Sequence, residues 1–360
     1  MSSQKLYIDV ETAERLCHDV FSRVGMTSQD ASVLTESLIQ ADLRGIGSHG
    51  ISRVKVYVDR IRNGWVNHKA VLKVISDRPS LFHFDGDNGV GAVIGTKAMD
   101  KCIERAADVG ASVCSVRNCN HFGIASFFTM RAVRSGMVGF AASNNPPNMA
   151  PWGGMTPLIG TNPFSFAAPT KRNEPFVVDM SSSIVARGRI NVAEIENQPI
   201  PLGWAVDSQG RPTQDAREAL DGAVLPFGQH KGYGIALAID IICGVLSGAA
   251  FSNQVGQLWD NDVSTQNIGL FFMVIDPKST VGTMAFCDRV DVLIDHLKGS
   301  KPAEGFDRVR VPGEIEKENE RVNRQMGILV GKGVLTDLDS LCTDFGIPIR
   351  LSEHITEVES

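Results

Sequence analysis

The sequence predicts an α/β protein with a helical N-terminal region, and three observations carry that prediction. Two amphipathic helices open the chain. A strand–helix–strand unit follows over residues 111–142. A glycine run, Gly89-Val90-Gly91-Ala92-Val93-Ile94-Gly95, looks like a dinucleotide-binding turn but lacks the surroundings of one. A Rossmann turn needs a buried strand directly before the glycines and an acidic residue closing the second strand. Here Asp85-Gly86-Asp87-Asn88 reads as a polar turn, and the next strand ends in Arg117 and Asn118.

Bulk properties bound the possibilities. A length of 360 residues leaves room for two or three lobes and a large core. Hydrophobic content of 43% and charged content of 21% are ordinary for a soluble globular chain. The net charge of −6 exerts no pull toward nucleic acid or a membrane surface. The seven cysteines are scattered, with no C-x-x-C. That fits reduced thiols in a cytoplasm better than a disulfide framework or a zinc site. Met1–Val10 is short, polar and charged, unlike a signal peptide. Gly232–Phe251 is nearly all apolar or small and long enough to cross a bilayer, but Asp240 lies at its centre. It reads as a buried core helix.

The elements follow in order. Ala13, Leu16, Cys17, Val20, Phe21 and Val24 keep a 3.6-residue period that Gly25 ends. Thr27 caps a second helix, with Asp30 three residues on and a stripe of Ala31, Leu34, Leu38 and Ala41. Helix continues from Gly50 to Gly64. Ala70–Asp77 and Leu81–Phe84 read as strands and Thr96–Val109 as a helix. Strand Ala111–Val116, helix Gly123–Ser135 and strand Met137–Ala142 form a βαβ unit with parallel strands. Ser143–Gly160 is loop. Phe164–Ala168 and Phe176–Met180 are strands, and Gly269–Ile275 is a central one. Val281–Leu297 is helical, Arg308–Val311 is a short strand, Pro312-Gly313-Glu314 starts a charged helix, and Leu335–Phe345 is a last small helix. Residues 1–72 are expected to pack with 300–360, leaving 73–299 as the sheet-containing, cofactor-binding domain.

The chemistry concentrates in Asp42–Tyr57, which sets Ser48, His49, Arg53 and Tyr57 among Gly45, Gly47 and Gly50. Residues i and i+4 share a helix face, so Arg53 and Tyr57 can both point back at the turn carrying Ser48 and His49. That is a grip for a small carboxylate: a guanidinium fork beside an imidazole able to move a proton. The plainer reading is a helix start capped by Ser48, with polar side chains in water. His121 stands after a strand and before a helix, where α/β sheets place ligands; otherwise it is a surface loop histidine. Asp179 closes a strand before Ser181-Ser182-Ser183, where an acid orients a histidine, binds a ribose or caps a helix. His230 and Lys231 stand at a helix mouth, where a cation opposes the helix dipole and a phosphate is an economical partner.

Sorted by type, these are an acid/base set (Ser48, His49, His121, Asp179), an anion clamp (Arg53, Tyr57) and phosphate-facing groups (His230, Lys231). Hydride transfer between a cofactor and a 2-hydroxy acid needs those parts and no metal, and the dispersed histidines offer no metal site. The rival is a serine hydrolase using Ser48, His49 and Asp179. Against it, Ile46 stands where the G-x-S-x-G elbow wants glycine, and a serine and histidine adjacent in sequence seldom share nucleophile–base geometry. Nothing marks Cys119, near His121, as an activated thiol.

The residues fall into a series of motifs: A-D-L-R-G-I-G-S-H-G-I-S-R at 41–53, N-H-F-G at 120–123, A-P-W-G-G at 150–154, G-T-N-P at 160–163, V-D-M at 178–180, L-P-F-G-Q-H-K-G-Y-G at 225–234 and V-P-G-E at 311–314. In that order, over nearly the whole chain, the sequence resembles the type II malate/L-lactate dehydrogenase family. That family includes ureidoglycolate and sulfolactate dehydrogenases, 2,3-diketogulonate reductase and reductases of piperideine-2-carboxylate. The resemblance implies a non-Rossmann mixed β-sheet flanked by helices, NAD or NADP as cofactor, and a cytoplasmic homodimer with its site near the subunit contact. The implied substrate is a small 2-hydroxy or 2-keto acid of the malate, lactate, ureidoglycolate or sulfolactate type. A cyclic imine carboxylate or diketo sugar acid is the alternative. By the same resemblance His49 is the proton donor with Ser48 and Asp179 as its relay, or His121 is the acceptor, as in ureidoglycolate-type members. Arg53 and Tyr57 match substrate-contacting positions; Asp179, Met180, Ser181, Lys231, Pro312, Gly313 and Glu314 match cofactor-contacting ones, with His121 and His230 beside them. One departure stands out. Many members read T-N-S where this chain has Ser143-Asn144-Asn145, so Asn145 replaces a serine that can touch substrate.

Overall fold

The computed structural model describes residues 5–259 and 265–358. Strand β1 (Lys5–Ile8) leads into α1 (Val10–Arg23) and α2 (Ser28–Leu43). Thr27 caps α2 as its position predicts, its hydroxyl accepting from the Asp30 N–H at 3.1 Å. Two 3-10 turns, Gly47–His49 and Ile51–Arg53, interrupt the helix expected from Gly50, and α3 (Val54–Arg62) begins only after them.

The sheet strands and their crossovers come next: β2 (Lys73–Arg78), β3 (Leu81–Gly89), α4 (Gly91–Val109), β4 (Ala111–Cys119), α5 (Ser126–Arg134), β5 (Val138–Ser143), β6 (Phe164–Ala168) and β7 (Phe176–Met180). A small lobe holds α6 (Arg187–Ile195), α7 (Ala216–Asp221) and a three-stranded sheet of β8 (Ala205–Val206), β9 (Pro212–Thr213) and β10 (Ala223–Val224). Then follow α8 (His230–Asp240), β11 (Ile268–Ile275), α9 (Thr283–Lys298), α10 (Glu314–Met326), β12 (Ile328–Val330), α11 (Lys332–Phe345) and β13 (Ile355–Val358).

The central sheet is mixed, in the order β2-β3-β4-β11-β5-β6-β7. Only β3 and β4, joined by α4, run parallel among neighbours; the other five pairings are antiparallel. The expected βαβ unit keeps its parallel strands but not as neighbours. β4 and β5 do point the same way, but they are not paired, because β11 lies between them and runs antiparallel to both. β11 is apolar along its whole length, so the middle of the sheet is where it buries most surface. Phe272 on β11 meets Phe128 of α5 edge-on at 5.3 Å, inside a core that α4 and α5 close over one face.

The glycine run is packing, not a phosphate loop. Asp85–Asn88, expected as a turn, is the irregular end of β3, with Asp87 and Asn88 at φ of 55° and 54°. A Cβ on Gly91 would lie 2.1 Å from the Asn120 carbonyl oxygen, and one on Gly95 would lie 2.7 Å from the Phe128 ring. These glycines let α4 and the 120–121 backbone approach closely. Arg117 and Asn118, at the end of β4, both donate to Asp85.

Two further expectations change. Arg308–Val311 forms no strand; Arg308 and Arg310 pair locally with Glu318 and Asp307. The apolar 232–251 stretch is not a fully buried helix. α8 stops at Asp240, a π-helical turn covers Ile241–Val245, and Ile235, Leu237, Ile241, Val245 and Leu246 are exposed. No helix among the described residues is long and apolar enough to cross a membrane.

At the other end of the chain, β1 pairs antiparallel with β12 and with β13. One apolar cluster joins Leu16, Leu34 and Val54 to Ile328, Leu341 and Leu351.

Asn144 ties the sheet to α8. It is fully buried; its amide donates to Asp240 Oδ1 at 3.1 Å and the Ala250 carbonyl at 2.8 Å, and its oxygen accepts from the Gly269 N–H at 2.9 Å. Asn144→Ala strands three polar groups in the interior. The expected loss of unfolding free energy is roughly 3–5 kcal/mol, read from urea-unfolding midpoints. A loss below about 1 kcal/mol would mean that water replaces the amide there.

Candidate active site

The site begins with a buried acid. Asp42, in the last turn of α2, accepts the Ile51 N–H at 2.7 Å and so folds the chain back over Gly47–Gly50. Gly50 is obligatory: a Cβ there would sit 1.9 Å from the Asp42 carboxyl. The carbonyls left open at the end of α2 are met from α10. Asn323 donates to the Leu43 carbonyl at 3.0 Å and Asn319 to the Arg44 carbonyl at 3.3 Å. Burial pushes the Asp42 carboxyl up to about 8, against the pull of the Ile51 N–H.

On this turn the side chains converge. The Ser48 hydroxyl bonds His49 Nδ1 at 2.9 Å, and Arg53 Nε donates to the Ser48 carbonyl at 2.6 Å. One turn into α3, the Tyr57 hydroxyl bonds His121 Nδ1 at 2.7 Å. The two imidazoles stack, their centroids 5.4 Å apart and their planes 27° from parallel. His121 itself is held by its N–H donating to Gln266 Oε1 at 3.0 Å. So residues 72 positions apart in sequence present two rings side by side, each with its Nδ1 taken by a hydroxyl and its Nε2 left over. Arg53 Nη1 is buried with no partner, and no acid pairs with Arg53 among the described residues.

Burial first, then the Arg53 charge, pushes the His49 imidazole down to about 3. His121 is driven well below its ordinary range by burial, with His49 and Arg53 adding to it. Burial lifts the Tyr57 phenol to about 12, although Arg53 opposes this. At neutral pH the cluster therefore holds one positive charge, two neutral imidazoles and a neutral phenol. That is a receptor for one anionic group beside two proton-handling nitrogens.

Asp179 is not part of this cluster. Its carboxylate accepts the Ser126 N–H at 2.8 Å, at the start of α5, and no hydrogen bond joins it to Ser48 or His49. The expected Ser48–His49–Asp179 relay, and the hydrolase triad built from the same residues, are not assembled. The positive end of a helix competes for the carboxylate and wins. All seven cysteines are buried, and burial drives the Cys119 thiol up, away from the reactive thiolate.

Two backbone contacts involve the segments that carry the cofactor-matching residues. The Val177 N–H donates to the Pro312 carbonyl at 3.2 Å, so the Pro312-Gly313 turn lies against β7 near Asp179 and Met180. Glu314 is engaged by Lys298 and by the Val311 N–H. The Phe227 N–H donates to the Ser182 carbonyl at 3.0 Å, which brings Ser181 alongside the start of α8 with His230 and Lys231. Lys231 is exposed and pairs with no acid among the described residues, while His230 meets Trp152 edge-on at 6.2 Å. Asn145 lies in the loop after β5, its N–H donating to Asn162 Oδ1, and no hydrogen bond joins it to the histidine pair among the described residues. Sequence reasoning missed Gln266, Arg60 and Trp259. Trp259 was the readable one: a tryptophan in a polar loop is an uncommon thing to leave without a purpose.

The chain is similar to known proteins over most of its length. The family model described as malate/L-lactate dehydrogenase matches residues 8–339. L-sulfolactate dehydrogenase of Methanocaldococcus jannaschii is 38% identical over 341 residues, covering 94% of this chain and 97% of that one. Its solved structure superposes with a TM-score of 0.90 over 97% of this chain and 99% of that one, at 36% identity. Malate dehydrogenase of Pyrococcus abyssi is 37% identical over 336 residues, 91% of this chain and 92% of that one. The NAD(+) ureidoglycolate dehydrogenase of Escherichia coli is 32% identical over 321 residues, 89% of this chain and 91% of that one.

The Asp42 carboxyl makes stability depend on pH. In the fold it is neutral up to about 8, whereas in the unfolded chain it ionises near the usual carboxylate value. The stability carried by the neutral form is whole below that usual value, erodes as the pH climbs, and is gone once the pH passes about 8. Asp42→Asn keeps an acceptor for the Ile51 N–H and cannot ionise. Its loss of Tm between about pH 5 and about pH 9 should be smaller than that of the wild type. Equal losses in the two proteins would place the pH dependence elsewhere.

Proposed function

The chain belongs to the malate/L-lactate dehydrogenase family, and on that premise we propose that it transfers a hydride between a nicotinamide dinucleotide and a small 2-hydroxy or 2-oxo acid at the His49–His121 pair. It is an oxidoreductase of CH–OH groups that uses NAD or NADP. The observation that carries the site assignment is the Arg53 guanidinium, paired with no acid among the described residues, beside two neutral imidazoles. Malate, sulfolactate and ureidoglycolate types of substrate all present the carboxylate such a clamp would take.

The residues fit a dinucleotide. Lys231 offers an unpaired cation at a helix start, and Ser181 and the Pro312-Gly313-Glu314 turn lie along the strand that leads to it. Asp179, Met180 and Ser181 would line the ribose side and Lys231 with His230 the phosphate side. When bound, the dinucleotide supplies or accepts the hydride. Everything else is done by this chain. Arg53 takes the substrate carboxylate, and with Tyr57 beside it the carbon bearing oxygen is turned toward the imidazoles. His49 is the proton carrier, because its Nδ1 partner Ser48 is exposed and hands the proton on to water. The Nδ1 partner of His121 is the buried Tyr57 phenol, which leads nowhere. With Tyr57 donating to Nδ1, His121 keeps its proton on Nε2 and offers it as a hydrogen bond to the substrate oxygen. The exposed apolar face of α8 is proposed to be covered by a second copy, giving a homodimer, and the seven reduced thiols suit a cytoplasmic enzyme.

His49→Ala should lower kcat by about 10²–10⁴ with little change in KM, while His121→Ala should chiefly raise the substrate KM. The pH profile follows from the depressed value. In the free enzyme His49 is neutral above about 3, so kcat/KM for hydroxy-acid oxidation should be flat through neutral pH. In the reducing direction the scarce protonated form is needed, so kcat/KM should fall about tenfold per pH unit there. A bell centred near neutrality in both directions would contradict the assignment. Lys231→Ala should weaken cofactor binding by about ten- to a hundredfold, measured by fluorescence of the reduced dinucleotide. Unchanged affinity would show that Lys231 only decorates the helix end.

A further inference from the structure

Arg53 has to be held in place without being neutralised. An acidic partner would orient the guanidinium but would also compete with a bound carboxylate. The structure uses an aromatic face instead. Arg53 Cζ lies 4.7 Å from the centroid of the Trp259 indole, and among the described residues the side chain otherwise spends only its Nε, on the Ser48 carbonyl. Trp259 is 62% exposed, so burial of its own surface does not explain where it sits. What fixes it is the loop beneath. Arg60, one face of α3 further on and fully buried, donates from Nη1 to the carbonyls of Gln257 and Leu258, each at 3.3 Å. Leu258 inserts into the core shared by α1, α2 and α3. The backbone immediately before Trp259 is thus clamped by the helix that carries Tyr57 and begins beside Arg53. Gln266, on the same long connection into β11, holds His121 from the opposite side and donates back to the Gly256 carbonyl.

We propose that Trp259 is a positioning residue for the substrate carboxylate: by stacking on Arg53 it fixes the plane of the guanidinium and leaves Nη1 aimed at the anion. The inference rests on the Arg53 role proposed above. A cation over an indole is favourable by an amount that grows as water is excluded, and it leaves the positive charge available. The guanidinium stays a full cation whose donors lie in one known plane.

The test is equilibrium binding of oxalate, whose adjacent carboxylates mimic a 2-oxo acid, to the complex with reduced dinucleotide. Trp259→Ala should weaken oxalate binding about three- to thirtyfold while leaving the dissociation constant of the dinucleotide within about twofold. Trp259→Phe, which keeps a ring face, should restore most of the loss. The same split should appear in turnover, as a higher substrate KM at nearly constant kcat. Oxalate affinity unchanged in Trp259→Ala overturns the proposal. So does an equal loss of dinucleotide affinity, which would mark a general structural role, and so does failure of Trp259→Phe to recover. The two readings fail separately. Wild-type enzyme that turns over no hydroxy acid sinks the proposed function, whereas wild-type turnover together with an unaltered Trp259→Ala sinks only this one.

Discussion

The acceptor bond from Asp42 to the Ile51 N–H decides the shape of the site. α2 itself ends at the left-handed Gly45, where the Ile46 N–H reaches back to the Ala41 carbonyl, and the Asp42 bond then ties the turn that follows, with Ser48, His49 and Arg53, back onto the helix end. The bond is possible only because Gly50 has no side chain where the carboxyl sits, and because α10 has taken over the open carbonyls of α2. Local sequence, tertiary contacts from 275 and 280 residues away and a buried acid are therefore parts of a single constraint.

The electrostatics follow from that burial. A dry pocket disfavours charge on any group, and it has done so for both histidines and the phenol while leaving a guanidinium that cannot lose its proton. An arriving carboxylate would be the first negative charge in the cluster among the described residues. It would offset Arg53 and so ease protonation of the neighbouring imidazole, which couples binding to readiness for proton transfer. The two rings are distinguished less by their own surroundings than by what stands behind them: a hydroxyl open to water for His49, a sealed one for His121.

How much of this was legible depended on distance along the chain. Asp42–Tyr57 could be read because its residues are neighbours in sequence and their spacing sets their faces. The strands Phe164–Ala168 and Phe176–Met180 were legible for the same reason. Asp179 was misread as a relay member: its strand-end position was plain, but nothing in the sequence says that Ser126, 53 residues earlier, presents a helix start to it. Gln266 was invisible, and Trp259 could at most be noticed as a loop tryptophan, because their meaning comes only from the contacts that bring them to His121 and Arg53. The glycine run misled less than it might have. Its polar approach argued against a phosphate loop, although β3 does reach Gly89, and its glycines turn out to face backbone and aromatic rings. The insertion of β11 between β4 and β5 had no local signature at all, since an apolar run of eight residues says that a strand is buried and nothing about which neighbours it takes.

That insertion also sets the order in which the enzyme can be made. β4 and β5 leave a gap that stays open until residues 268–275 exist, and the glutamine that holds His121 lies just before them. On a ribosome, more than two thirds of the chain must emerge before the sheet can close and the imidazoles can meet. Contacts that span so much sequence close slowly, because the loop entropy is spent before the pairing is gained. In the interval the exposed edges of β4 and β5 are each open to pairing with another chain. The late arrival of one strand therefore governs when the sheet closes as well as where the imidazoles meet.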